Sequence, residues 1–335
     1  MAVRSRNFLG SSQVVLFWLI FFGMRVFAQQ MADVPDVHIL PPAAAMAMTT
    51  SAMKVPVVPM IKKNVELVLV PVTITDQSDR VITGLDKQNF RVYENKRQQN
   101  IQHFSSEDVP VSIGIILDIS GSMKTKMARA KEAVQEFCKA ANPQDEFFMI
   151  TFSNQPNQVE NFTSDPEKLE ASLLSVEAGG RTALLDAIYL GLHKMRQATQ
   201  PRRALLIISD GGDNRSRYTE HEVTSLVKEA DVMVYAIGIY DHTFPTEEEA
   251  LGPALLSTIA DVSGGKAFSV DDPDDLPAIA SHVGEELRNQ YVLGYRPENI
   301  PRDGKWHKIR VKLQMPAGWK FLHIRARSGY YAPAH

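Results

Sequence analysis

The spacing of apolar positions changes twice along this 335-residue chain. Residues 65–76 are β-branched and apolar, and predict a strand; Pro71 cannot donate a ladder hydrogen bond, which points to an edge or a bulge there. Shorter strands are predicted at 80–82, 90–93 and 101–104, separated by turn signals at 76–79, Gly84 and Glu94-Asn95. From Val111 the pattern is different. Val111-Ser-Ile-Gly-Ile-Ile-Leu117 is a nearly continuous apolar run, as in a strand covered on both faces. Met127, Ala130, Val134 and Phe137 then fall at helical spacing within a helix over 124–140. Strands at 147–152, 204–209, 232–239 and 266–270 alternate with helices at 167–176, 183–198, 220–230, 250–262 and 273–288. Such alternation with short connections predicts an α/β fold: a doubly wound, mostly parallel sheet between helices. Ligands of such sheets bind beyond the carboxyl ends of the strands.

After Arg288 strands return, at 291–295, 305–313 and 320–327, separated by 297–304 and 316–318. In the middle one His307, Ile309, Val311 and Leu313 alternate with Lys308, Arg310 and Lys312, so one face is dry and the other wet. Neither flank alone completes a β-sandwich. The expected organisation is a β segment at 63–108, the α/β domain at 109–288 and a second β segment at 289–331. Pairing of the two flanks gives one sandwich-like domain; two separate β pieces at opposite ends are the other arrangement.

The first residues read as an address. Arg4 and Arg6 precede the apolar run Val14–Phe22, and Val26-Phe27-Ala28 ends in small or short side chains, the three parts of a secretory signal over 1–28. The run is shorter than the roughly 20 residues of a bilayer span, and an uncleaved anchor is the alternative. Residues 29–62, with Pro35, Pro41, Pro42, Pro56 and Pro59, read as a disordered tether. An exported protein, periplasmic or at the cell surface, is expected.

Composition removes classes. Lys plus Arg number 36 against 39 Asp plus Glu, so no global basic field exists to hold a nucleic acid. Cys138 is the only cysteine, which excludes an internal disulfide and any multi-cysteine metal site. Locally the charge is uneven: 241–286 is acidic and 288–327 basic. Two solvated faces attracting each other, or a basic docking patch, would both produce that pattern.

Candidate chemistry lies at three strand or helix ends. Asp118-Ile-Ser120-Gly-Ser122 follows the first buried strand and places three oxygens on one turn. Gly179-Gly-Arg181-Thr182 opens the helix at 183–198, and Ser209-Asp210-Gly-Gly212 ends another buried strand. Over about residues 110–288 the chain resembles von Willebrand factor type A (VWA) domains, and the three motifs look like a metal-ion-dependent adhesion site, or MIDAS. That resemblance implies Ser120 and Ser122 as direct hydroxyl ligands and Thr182 as a direct or water-mediated one. Asp118 and Asp210 would hold the metal's waters and neutralise its charge. An all-oxygen site with few carboxylates suits Mg²⁺, with Mn²⁺ as a substitute and Ca²⁺ fitting less well. A partner protein would complete the coordination with a Glu or Asp carboxylate. Arg181 and Asp213 border the site and would tune partner choice, unless they are ordinary loop residues. The flanks resemble an exported, largely acidobacterial group related to these domains, through Phe90-Arg-Val-Tyr-Glu94, His307-Lys-Ile-Arg-Val311 and Arg327-Ser-Gly-Tyr-Tyr331.

Enzymatic readings find less support. No Gly-x-Ser-x-Gly elbow surrounds Ser120 or Ser122, His221-Glu222 does not continue into a zinc-peptidase motif, and no phosphate loop is present. The expectation is a non-enzymatic, protein-binding module that uses no nucleotide. The competing class is a cell-envelope assembly protein in which the metal only stiffens loops and the β-domain makes the contacts.

Overall fold

In β1 (Val68–Thr75) the side chains of Val68, Val70, Val72 and Ile74 are buried on one face; on the other, Leu69 is 40% exposed whereas Thr73 and Thr75 are buried. This is a computed structural model; it describes residues 67–240, 247–297, 303–315 and 321–334. The expected signal peptide (1–28), the tether (29–62) and the turn at 316–318 lie outside the described residues. Among the described residues no helix is long and apolar enough to cross a membrane.

β2 (Phe90–Glu94), β3 (Arg97–Gln99) and β4 (Ile101–Ser105) follow. Residues 80–82 form no strand, only a bridge from Val81 to Thr75. β3 was not expected: Asn95 and Lys96 both take positive φ, and that tight reversal lets the polar segment Arg97–Gln99 pair back onto β2.

The α/β part runs β5 (Val111–Asp118), α1 (Met127–Lys139), β6 (Glu146–Phe152), β7 (Pro156–Thr163), α2 (Pro166–Leu174) and α3 (Leu184–Met195). It continues through β8 (Arg202–Ser209), α4 (Glu220–Glu229), β9 (Met233–Ile239), α5 (Glu247–Ser263), β10 (Lys266–Val270) and α6 (Leu276–Arg288). The six strands lie in the order β10-β9-β8-β5-β6-β7. All neighbours are parallel except β7, which pairs antiparallel with β6 at the edge. β5 is buried at all eight positions, because each face of the sheet carries its own core. One holds Ile113, Ile115 and Leu117 against α1 and α6; the other holds Ile116 against Leu184 and Ile188 of α3.

β11 (Tyr291–Tyr295), β12 (Trp306–Leu313), β13 (His323–Ala326) and β14 (Gly329–Tyr331) return to the other domain. One four-stranded sheet is ordered β13-β1-β11-β4 and the second β14-β12-β2-β3. Each mixes strands from before and after the α/β domain, and the sheets share a core built on Val70, Val72, Phe90, Val92, Tyr291, Leu293 and Ile309. β13 pairs β1 only from Val72 onward, so at Pro71 that flank of β1 has no ladder to feed.

Side chains fix the junction between the two domains. Glu286 of α6 is fully buried and forms an ion pair with Arg325 of β13 at 2.5 Å. Lys266 pairs with Asp79, and Arg327 with Asp231 at 2.7 Å. Gln290 Nε2 donates to Thr73 Oγ1 over 3.3 Å.

Candidate metal centre

Neighbouring strands β5 and β8 send their chain connections in opposite directions, β5 toward β6 and β8 toward β9. This is the topological switch point of the sheet, where a crevice opens beyond the carboxyl ends. Asp118 is the last residue of β5, and Asp210 immediately follows β8.

The turn after β5 is shaped by its own aspartate. Asp118 Oδ1 accepts from the Ser120 N–H at 2.8 Å, and Ser120 Oγ lies 3.1 Å from Ser122 Oγ. Residues Gly121–Met123 then make a short 3₁₀ turn, and α1 starts only at Met127 rather than at 124. The 179–182 loop is tied to this turn by two bonds: Gly179 N–H donates to Ile119 O (2.7 Å) and Gly121 N–H to Gly180 O (3.0 Å). Gly180 has φ +92°, which a side chain would resist, and its backbone lies close to the Asn154 amide. The 210–214 loop closes the ring. Thr182 N–H donates to Asn214 Oδ1 at 3.0 Å, and Asn214 N–H returns a bond to Thr182 O at 3.1 Å.

Asp118, Ser120, Thr182 and Asp210 are buried, and Ser122 is exposed at the mouth. Burial first, and then the charge of Asp210, push the Asp118 carboxyl up to about 7, against the pull of hydrogen bonds from Ser209 and Ser120. Lys126 Nζ donates to Ile239 O (3.1 Å) and stands 3.9 Å from Asp210 Oδ2. The donors are carboxylate and hydroxyl oxygens, and two acidic groups share one dry place. That chemistry fits a small hard cation. Among the described residues no group of three or more His, Cys, Asp or Glu gathers to hold a metal, so any centre here has to use hydroxyls.

Arg181 is exposed, and its N–H donates to Asn154 Oδ1. Asp213 faces inward to the loops. It accepts from Leu185 N–H and Ser216 Oγ–H at Oδ2, and from Arg215 and Ser216 N–H at Oδ1. With both oxygens engaged, Asp213 holds the start of α3 to the 213–216 loop. Three further residues support the site. Ser209 Oγ reaches Asp118, Asn214 joins two loops, and Asp186 accepts from Arg217 and Tyr218 N–H at Oδ1. Ser209 belongs to the Ser209-Asp210-Gly-Gly212 motif, but nothing in that pattern marks it off from any strand-end serine.

Residues 113–212, which span all three motifs, match the family profile of the von Willebrand factor type A domain. The chain carries a VWA domain. A Borreliella burgdorferi protein of uncharacterised role is 25% identical over 184 residues, covering 48% of this chain and 54% of its own length. The chain spans 22% to 61% of the curated relatives it matches. Among solved structures, a von Willebrand factor type A protein from Catenulispora acidiphila is 14% identical with a TM-score of 0.48, covering 80% of this chain and 75% of that one. Proximal thread matrix protein 1 of the mussel byssus, solved with a zinc-occupied MIDAS motif, is 17% identical with a TM-score of 0.45, covering 58% and 49%.

Proposed function

We propose that the VWA domain is an exported protein-binding module. It holds a divalent cation, Mg²⁺ in preference, through Ser120, Ser122 and Thr182, with Asp118 and Asp210 holding its waters and balancing its charge. The observation that supports this reading is that three loops at the sheet's switch point, tied together by hydrogen bonds, carry Asp118, Ser120, Ser122, Thr182 and Asp210, four of them buried and Ser122 open to solvent. A bound Mg²⁺ or Mn²⁺ supplies Lewis acidity and a coordination position that an acidic side chain of a partner protein fills. With hydroxyls as its direct ligands and the two carboxylates acting through waters, the ion would keep Lewis acidity toward a partner's carboxylate. Export is supported by the basic start, apolar run and small-residue exit of residues 1–28.

The test is calorimetric titration of Mg²⁺ and Mn²⁺ into the wild-type chain and into Asp118→Ala and Ser120→Ala variants, with and without millimolar acetate as a surrogate carboxylate. Saturable binding that disappears in both variants is expected. A folded wild-type protein that binds neither ion, even with acetate present, overturns the reading.

A further inference from the structure

A second cleft lies at the opposite edge of the parallel sheet, about 290 Å³ in volume, where the outer face of β1 and β11 meets the amino ends of β8 and β9. Leu69 and Val292 form its wall on the sandwich side, and Val232 and Val262 its wall on the α/β side. The junction bonds from Gln290 to Thr73 and from Arg327 to Asp231 hold these walls together. The cleft is therefore a built cavity between two fixed surfaces.

Its charge is not balanced. Arg202 lines it at 9% exposure, and among the described residues its guanidinium donates only to the carbonyls of Leu287, Glu107 and Gln290, at 3.1 to 3.3 Å. Burial disfavours that charge, and Asp108 and Asp145 support it from a distance. Arg203 and Lys228 also line the cleft, and among the described residues none of these three bases has a carboxylate in ion-pair contact. Of the two acids on the lining, Asp231 is engaged by Arg327, leaving Glu107. A buried cation is costly unless an anion approaches it, and the apolar walls gain by excluding water. A ligand that satisfies both has an apolar body and one negative charge.

We infer that this cleft binds a small apolar monocarboxylate, its tail between the Leu69–Val292 and Val232–Val262 walls and its carboxylate at Arg202, Arg203 and Lys228. The volume lies at the lower end of small-molecule sites, roughly 300–1,000 Å³, which restricts the tail to a short or medium chain. The site is independent of the metal centre, which lies at the carboxyl edge of the same sheet.

Octanoate is the probe, titrated calorimetrically into the full chain in EDTA, so that the metal centre cannot capture the carboxylate. Octanol and octylamine carry the same tail with no charge or the opposite one. Saturable octanoate binding is expected, at least fivefold tighter than octanol and absent for octylamine. An Arg203→Ala/Lys228→Ala double variant should weaken octanoate at least fivefold and leave octanol unchanged. Because both side chains are partly exposed, that variant should keep its thermal transition, and Val232→Trp, which fills the cleft, supplies an independent block. No saturable octanoate binding by the wild-type chain overturns the inference, as does octanol binding equally well or octanoate binding that survives Val232→Trp.

Discussion

Ser209 Oγ donates to Asp118 Oδ2 over 2.6 Å while accepting from the Gly211 N–H at 3.0 Å. One hydroxyl thus joins the ends of β5 and β8 and orients the carboxylate that faces Asp210. Ser209→Ala removes the bond to a buried carboxylate and leaves two polar groups without it, a loss of about 2 kcal/mol in stability. Groups that orient a metal-holding residue typically matter by roughly 10–100-fold in affinity. Mg²⁺ affinity should therefore fall at least tenfold by calorimetry, together with a lower denaturation midpoint. Unchanged affinity would remove Ser209 from the metal centre.

Gly252 of α5 and Gly211 of the site loop pack backbone to backbone. A Cβ at Gly252 would come within 2.7 Å of the Gly211 carbonyl carbon, and Gly211 has φ +80°. Helix propensity alone favours Gly252→Ala by about 1 kcal/mol. The contact should outweigh it: the variant is expected to melt lower and to bind Mg²⁺ more weakly, because the displaced loop carries Asp210. A higher melting temperature with normal binding would show that the loop yields freely.

The Glu286–Arg325 pair spans the domain junction with Glu286 wholly out of solvent. Arg325→Ala leaves that carboxylate buried, with His282 Nε2 at 3.4 Å as its remaining ion-pair partner among the described residues. Breaking one side of a buried pair costs about 3–5 kcal/mol, whereas replacing both sides with apolar groups is often nearly neutral. Urea denaturation should show a large loss for Arg325→Ala and a much smaller one for Glu286→Leu/Arg325→Met. Equal losses would mean that the pair itself carries the junction.

Burial, and secondarily the charge of Glu170, push the Cys138 thiol up to about 12. At pH 8 the native thiol should react with an aromatic disulfide reagent only as fast as the fold opens, so urea should accelerate the reaction steeply. The raised value also fixes a sign. Its contribution to stability is intact below the free thiol's 9.0 and is lost as pH rises from there toward 12. Rapid labelling without denaturant would contradict the packing of α1 against the sheet.

Much of this fold was legible because its central strands are apolar at consecutive positions and its helices repeat at the helical period. The misses share a physical cause. β7 has no fully buried residue and joins the sheet through backbone bonds to β6, so it carries no hydrophobic period to find. β3 and β14 are three residues each, too short for any pattern. In the site, Asp118-x-Ser120-x-Ser122 alone is a pattern that any turn could use; it stood out because the Thr182 motif opens a helix and the Asp210 motif ends a strand at the same edge of the sheet. Asn214 and Asp186 did not, since their roles depend on loops that only folding brings together. Asp213, read as a partner-facing rim residue or an ordinary loop residue, makes four hydrogen bonds that hold the start of α3 to the 213–216 loop.

β4 and β11 are direct antiparallel neighbours, with Ser105 opposite Val292. In topological terms they are a hairpin, and the entire VWA domain is its loop. Closing so long a loop from an unfolded chain costs on the order of 4–5 kcal/mol in entropy, and a folded α/β domain removes most of that cost by bringing the two ends together. The sandwich should therefore assemble last. Its completion then certifies that the inserted domain has already folded, a built-in order of assembly that a tandem arrangement of the same two domains would lack.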